Sequence, residues 1–266
     1  MNKKAICLTF DTEEWSIVDD YCKNQKYADS TKVSADGIDN LLGLLDRHQI
    51  KSTFFITGFF AENEQATVKK IISKGHEIAS HSYRDEDHSK FTKEETFYKI
   101  NTTKQILEKI TKRKISGFRT PRFSVNKHIS GILKDLDFIY DSSVHPAIVP
   151  GYYYNFFKNT KIRKKKGLYE IPVSVIPLIR YPISWIWMRI LGNWITNAGT
   201  RLNLMQNRPV ILYFHSWEFT KLPKIKNVPA YVIKNSGEIF LSQLDNFIND
   251  FKDYRFCKLI DILSDN

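Results

Sequence analysis

Short apolar runs alternate along this chain with longer stretches whose apolar residues recur every three or four positions. Lys4 to Phe10 (KAICLTF) reads as a buried strand, Ser34 to His48 as a helix carrying Ile38, Leu41, Leu42 and Leu45 on one face, and Ser52 to Ile56 as the next strand. The same alternation continues with a helix over Glu62 to Lys74, a strand over His76 to Ser80, and a helix over Lys93 to Arg113 that opens on Thr92 and Glu95, the signature of a capping box. Strand, helix and strand follow at Ile115 to Phe118, Asn126 to Leu136 and Phe138 to Ser142; later strands fall at Leu168 to Val175 and Val210 to His215, and a last helix at Ile239 to Asp253. Strands that alternate with helices build a parallel sheet. With no linker or repeat to divide it, residues 1–266 are expected to form a single α/β domain, a distorted (β/α) barrel of about seven parallel strands.

Two stretches break this rhythm. Thr12 to Val33 is a polar loop long enough to form one wall of a site. Ser174 to Ile195 holds Trp185, Trp187 and Trp194 beside Arg180 and Arg189. Its two prolines and two arginines argue against a membrane span and for a helix of the barrel wall, although the basic run Arg163 to Lys166 ahead of it would also suit a membrane interface.

Composition narrows the class. With 42% apolar residues the chain can bury a core, and its three cysteines, Cys7, Cys22 and Cys257, are too few and too scattered for a disulfide framework or a thiolate cluster. The N-terminal apolar run is too short for a secretory signal, so a cytoplasmic protein is expected. A net charge of +11 favours anionic partners. No nucleic-acid motif accompanies it, which speaks against nucleic acid and leaves an anionic membrane face as a possible peripheral contact.

Four polar islands follow strands and should meet at one rim: TFDTEEW, GHEIASHSYRDEDH, GFRTP and LYFHSWEF. Asp11 and Glu13 face one side of an extended segment and Glu14 the other. Carboxylates so crowded need a cation or split pKa values, which suggests one as metal ligand and another as base. His81, Asp85 and His88 offer imidazole and carboxylate donors suited to zinc or a related divalent ion. His76, near the start of its strand, is taken as structural. Arg119 can pair with Asp11 and hold it ionised, and His215 can transfer a proton if an acid such as Asp141 lies beside it.

These islands resemble, in order, the motifs of the NodB-type domain of polysaccharide deacetylases, carbohydrate esterase family 4, and the strings DTEEW, FRTPRFS and LYFHSWEF are similar to a branch acting on surface glycans and exopolysaccharides. The similarity covers roughly residues 4–145 and 209–219. It implies a metal-dependent N-deacetylase in which Asp11 is the base, Arg119 its partner, His215 the acid, and Glu13 and His81 metal ligands. The family's second histidine falls where this chain has Asp85, which makes Asp85 or His88 the third ligand of a zinc, cobalt or nickel ion. Arg122 would supply an oxyanion-binding N–H, and Phe123 and Trp217, with Trp15 and Tyr213, aromatic walls for a sugar. An N-acetylated sugar on an isoprenoid phosphate at the inner membrane face would reconcile the charge, the aromatic segment and the lack of a signal. A silent glycan-binding homologue, or another metal-dependent amide hydrolase acting on imides or ureides, is the alternative.

Overall fold

The computed structural model describes residues 4–16, 31–149, 153–224 and 228–264; most of the loop expected over Thr12 to Val33, with Cys22, lies outside them. Strand β1 (Ala5–Thr12) is buried along its whole length: Ile6, Leu8 and Phe10 pack with helix residues such as Ile38 and Leu41, and Ala5 and Cys7 with residues of neighbouring strands such as Phe55 and Ile211. It is flanked by β2 (Thr53–Ile56) on one side and by a late strand, β8 (Val210–His215), on the other. The sheet continues through β3 (Glu77–Ser80), β4 (Gly117–Phe118), β5 (Tyr140–Asp141) and β7 (Leu168–Glu170), all parallel, and ends in an antiparallel strand, β6 (Arg163–Lys165). A short β9 (Arg255–Phe256) pairs with the start of β1. Seven consecutive parallel strands in the order β8-β1-β2-β3-β4-β5-β7 thus form the curved half-barrel. Its two margins approach where the Ser174 N–H donates to the Ile211 carbonyl, 2.9 Å away.

Helix α1 (Lys32–Arg47) buries Ile38, Leu41, Leu42 and Leu45 against the sheet. Gly37, on the same helix, has a structural duty: a Cβ there would stand 2.0 Å from the Ser216 carbonyl oxygen, so only glycine lets the helix lie directly on the turn that follows β8. The helix expected over Glu62 to Lys74 is two helices, α2 (Gly58–Asn63) and α3 (Gln65–Ser73), broken at Glu64. Thr57 caps α2 by accepting from the Phe60 N–H, which starts the helix early and sets a register that ends before α3. Helix α4 (Lys93–Thr111) has the expected capping box: Thr92 Oγ1 accepts from the Glu95 N–H at 3.2 Å, and Glu95 accepts from the Thr92 N–H at 2.8 Å. Helix α5 (Ile129–Asp135) starts three residues late, since Asn126 turns the chain by accepting from the His128 N–H. The strand from Leu168 stops at Glu170, ahead of Pro172, which has no N–H for a ladder.

The tryptophan-rich segment differs most from expectation. It is not one helix. Pro177 and Pro182 sit in a reversal closed by a Val175–Pro182 bridge, and Trp185, with φ 58°, precedes two short helices, α6 (Ile186–Leu191) and α7 (Asn193–Met205). Among the described residues no helix is long and apolar enough to cross a membrane. Helix α8 (Glu238–Asp250) completes the outer layer.

Candidate active site

Parallel strands all present their carboxyl ends to one rim, and the polar islands follow four of those ends. Asp11 and His215 are direct register partners on β1 and β8; His81 follows β3, and Arg119 follows β4. Arg119 is fully buried and satisfied on every side: it donates to Asp11 Oδ1 at 2.7 Å, Thr9 Oγ1 at 2.9 Å, Ser142 Oγ at 3.0 Å and the Ser142 carbonyl at 3.3 Å, over the Phe55 ring. A planar guanidinium held at this many points is a fixed positive charge for Asp11. Burial raises the Asp11 carboxyl, but Arg119, then His81 and His215, outweigh it and leave the group below the usual carboxylate range.

Glu13 meets the opposite fate. Burial, then the nearby Asp85 carboxylate, push it well above the usual value. Its Oε2 lies 3.4 Å from His81 Nε2, and its Oε1 lies 3.9 Å from His215 Nε2. His81 Nδ1 donates to the Arg119 carbonyl at 2.9 Å, since a carbonyl can only accept, and this contact fixes the ring with its Nε2 facing Glu13. Glu14 projects elsewhere, toward Thr57 and Arg84, and burial lifts it to about 7.

The third expected metal ligand is engaged elsewhere. Asp85 Oδ2 accepts from Ser16 Oγ at 2.7 Å and from Arg122 Nε at 3.0 Å. His88 is fully buried edge-on to Phe91, with neither ring nitrogen hydrogen-bonded, and burial lowers it to about 4. Among the described residues no group of three or more His, Cys, Asp or Glu side chains is placed to hold a metal ion. Glu13 and His81 therefore supply two donors, and the residues as arranged do not fit a three-ligand site. Replacing Asp85 with His removes the Arg122 pair and adds an imidazole beside Glu13 and His81. Asp85→His is expected to raise zinc affinity at least about tenfold, measured by competition with a chromophoric chelator. Equal affinities for the two proteins would remove position 85 from the ion's reach.

His215 is held by groups the sequence did not reveal. Its ring stacks on Trp217 (centroids 4.9 Å, 20°) and meets Trp185 edge-on at 5.1 Å. Glu218 Oε2 accepts from the His215 N–H at 2.9 Å and lies 3.6 Å from its Nδ1, while Oε1 is 3.1 Å from Arg189 Nη1 in a fully buried ion pair. Burial favours the neutral imidazole, but Glu218, Glu13 and Asp11 outweigh it and raise His215 above the usual value. Asp141 is not the partner of His215. It is tied to Ser143, accepting from that residue's N–H and hydroxyl, and burial raises it to about 6. Glu218 sits three residues after His215, a spacing that one tight turn brings together; Arg189 carries no comparable signal.

The four aromatic expectations also change, Tyr213 being buried like the others. Trp217 and Trp15 are completely buried, so Trp217 orients His215 and has no face left for a sugar. Phe123 is 6% exposed, packed edge-on to Tyr213 beside Arg119. The Arg122 side chain is occupied by Asp85, and its backbone is left-handed (φ 54°, ψ 15°).

Known proteins divide the chain near its middle. Residues 1–140 match the family model described as polysaccharide deacetylase, and residues 142–262 match a domain of unknown function, DUF3473. The peptidoglycan deacetylase-like protein FGM2 of Gibberella zeae is 30% identical over 175 residues, 61% of this chain and 52% of that protein; the chain thus spans about half the length of this relative. Among solved structures, the Puue allantoinase superposes with a TM-score of 0.68 at 15% identity, covering 98% of this chain and 89% of its own. A carbohydrate esterase family 4 pseudoenzyme from Bacillus anthracis gives 0.57 at 15% identity, covering 98% and 66%. At such identities these two likenesses are of fold alone.

Proposed function

We propose that this chain, which belongs to the polysaccharide deacetylase family, hydrolyses the acetamide of an N-acetylated amino sugar with Asp11 as base and His215 as acid. One observation carries the reading: a buried carboxylate held ionised by Arg119 lies directly opposite, in strand register, a partly exposed imidazole whose acidic neighbours favour its protonated form. Asp11 takes a proton from water as the water oxygen attacks the acetyl carbon, and the Arg122 amide donates to the developing oxyanion. His215 then gives its proton to the nitrogen as the C–N bond breaks, leaving acetate and a free amine. The family generally depends on a divalent metal, which serves there as a Lewis acid for carbonyl and water. Here zinc, with cobalt and nickel, remains the ion to be tested at Glu13, His81 and Asp85. The Asp85 carboxylate is meanwhile held by Arg122.

The finer reading places the sugar on an isoprenoid phosphate at the inner face of the membrane, motivated by the +11 charge and the aromatic segment. We also propose that residues 1–266 form one folding unit, since β8, beyond the first family match, pairs with β1 within it. The second reading, a silent glycan-binding homologue, is favoured by the engagement of Asp85. Acetate release from N-acetylglucosamine oligomers, with added zinc, cobalt or nickel and with allantoin as the competing substrate, is the deciding assay. Acetate is the expected product; release of allantoate alone, or glycan binding without acetate, overturns the deacetylase reading.

A further inference from the structure

A second feature lies well away from the candidate site. Residues 155–161 and the reversal around Pro177 border a cleft of about 440 Å³ lined by Phe156, Phe157, Leu178, Arg180, Gln206 and Arg208, among others. A neighbouring cleft of about 310 Å³ shares Arg208 and adds Lys161. Among the described residues no Asp or Glu lines either cleft. The two lips are tied together: Arg180 donates to the backbone carbonyls of Phe156 and Lys158.

The lips are strongly apolar. Phe157 is 94% exposed, Leu178 90% and Ile179 65%. Side chains this large project into water at a cost unless something covers them. Their surroundings say what kind of cover fits. Lys158 and Lys161 are exposed beside them, and the chain runs from there directly into the exposed cationic strand β6 and Lys166. Arg163 is paired with Glu170, which leaves Lys158, Lys161, Lys164, Lys165 and Lys166 as the outward charges of this stretch. Large apolar tips projecting from a cationic rim match an anionic lipid surface, where tips enter the acyl boundary and lysines meet phosphates. A protein partner would have to supply the same combination over one face.

We propose that this face docks the protein on anionic bilayers, with Phe157, Leu178 and Ile179 inserting and the lysines around β6 meeting lipid headgroups. The inference extends the lipid-linked reading above but is measured without turnover, so the two can fail separately. Arg208 and His215 bracket β8, roughly 23 Å apart at the rise of a strand, and variants on this face leave the candidate site intact.

The test is co-sedimentation of the full chain with vesicles of phosphatidylglycerol or of phosphatidylcholine, alongside sedimentation velocity of the protein alone. Retention on the anionic vesicles alone is expected. Phe157→Ser/Leu178→Ser should weaken it about tenfold or more, with unchanged thermal unfolding, and Lys164→Gln/Lys165→Gln/Lys166→Gln should weaken it about a hundredfold. No retention, equal retention on neutral vesicles, or undiminished retention of the Phe157/Leu178 variant overturns the proposal. A dimer that these two serines abolish, with no vesicle retention, overturns it in favour of a second copy of the chain.

Discussion

Asp11→Asn is expected to lower acetate release by about 10²–10⁴-fold, the usual worth of a positioned general base. The substitution keeps the shape and an accepting oxygen but removes the ability to take a proton. Arg119 retains its bonds to Thr9 and Ser142, so the fold should survive with a loss of about 1–3 kcal/mol, checked by urea unfolding. The pH profile separates chemistry from structure. Asp11 is lowered below its ordinary value, so it remains a base until the medium is more acid than a free aspartate requires, and activity is lost as pH falls through that lowered value. His215 is raised, so it stays protonated above the ordinary imidazole value, and activity is lost as pH rises through the raised one. Asp11→Asn should erase the acid limb and keep the alkaline limb. A variant that releases acetate at the wild-type rate removes Asp11 from the reaction.

The parts of this site readable from sequence are those set by local pattern. The run VILYFH predicts a strand from Val210 to His215, and the strand has those bounds, because unbroken apolar residues suit a position covered on both faces. The capping box at Thr92 fixes the start of α4 for an equally local reason, two orphan backbone donors satisfied by two neighbouring side chains. The pairing of Arg119 with Asp11 is readable because both stand at the carboxyl ends of strands of one parallel sheet and carry opposite charge. What is not readable depends on packing between distant segments. Asp141 also stands at the end of a strand, and sequence alone could not know that Ser143 would claim its carboxylate while Glu218 took the place beside His215. Asp85 stands at the expected spacing from His81, yet its partners Ser16 and Arg122 come from two other loops of the same rim. Trp217 illustrates the limit of composition: an aromatic next to a candidate histidine suggests a sugar platform, and only its complete burial shows that it is the floor under His215.

Arg189→Leu should have the largest effect on stability. Arg189 and Glu218 are both fully buried, and each charge is tolerable only because the other compensates it. Arg189 also donates to the carbonyls of Val232, at 2.8 Å, and Tyr231, at 3.3 Å, and so joins α6 to the segment before α8. Leucine strands Glu218 as an uncompensated carboxylate and leaves those carbonyls short of a donor, at an expected cost of about 3–5 kcal/mol in urea unfolding. Adding Glu218→Gln to Arg189→Leu removes the stranded charge and should recover part of that loss, a non-additivity that simple loss of packing volume would not produce. The double variant would still lack the carboxylate 3.6 Å from His215 Nδ1. Its stability should therefore recover while acetate release does not, which separates the ion pair's part in the fold from the part Glu218 plays in holding the imidazole. If Arg189→Leu costs less than about 1 kcal/mol, the pair is exposed to water in solution, and the buried brace behind His215 does not exist.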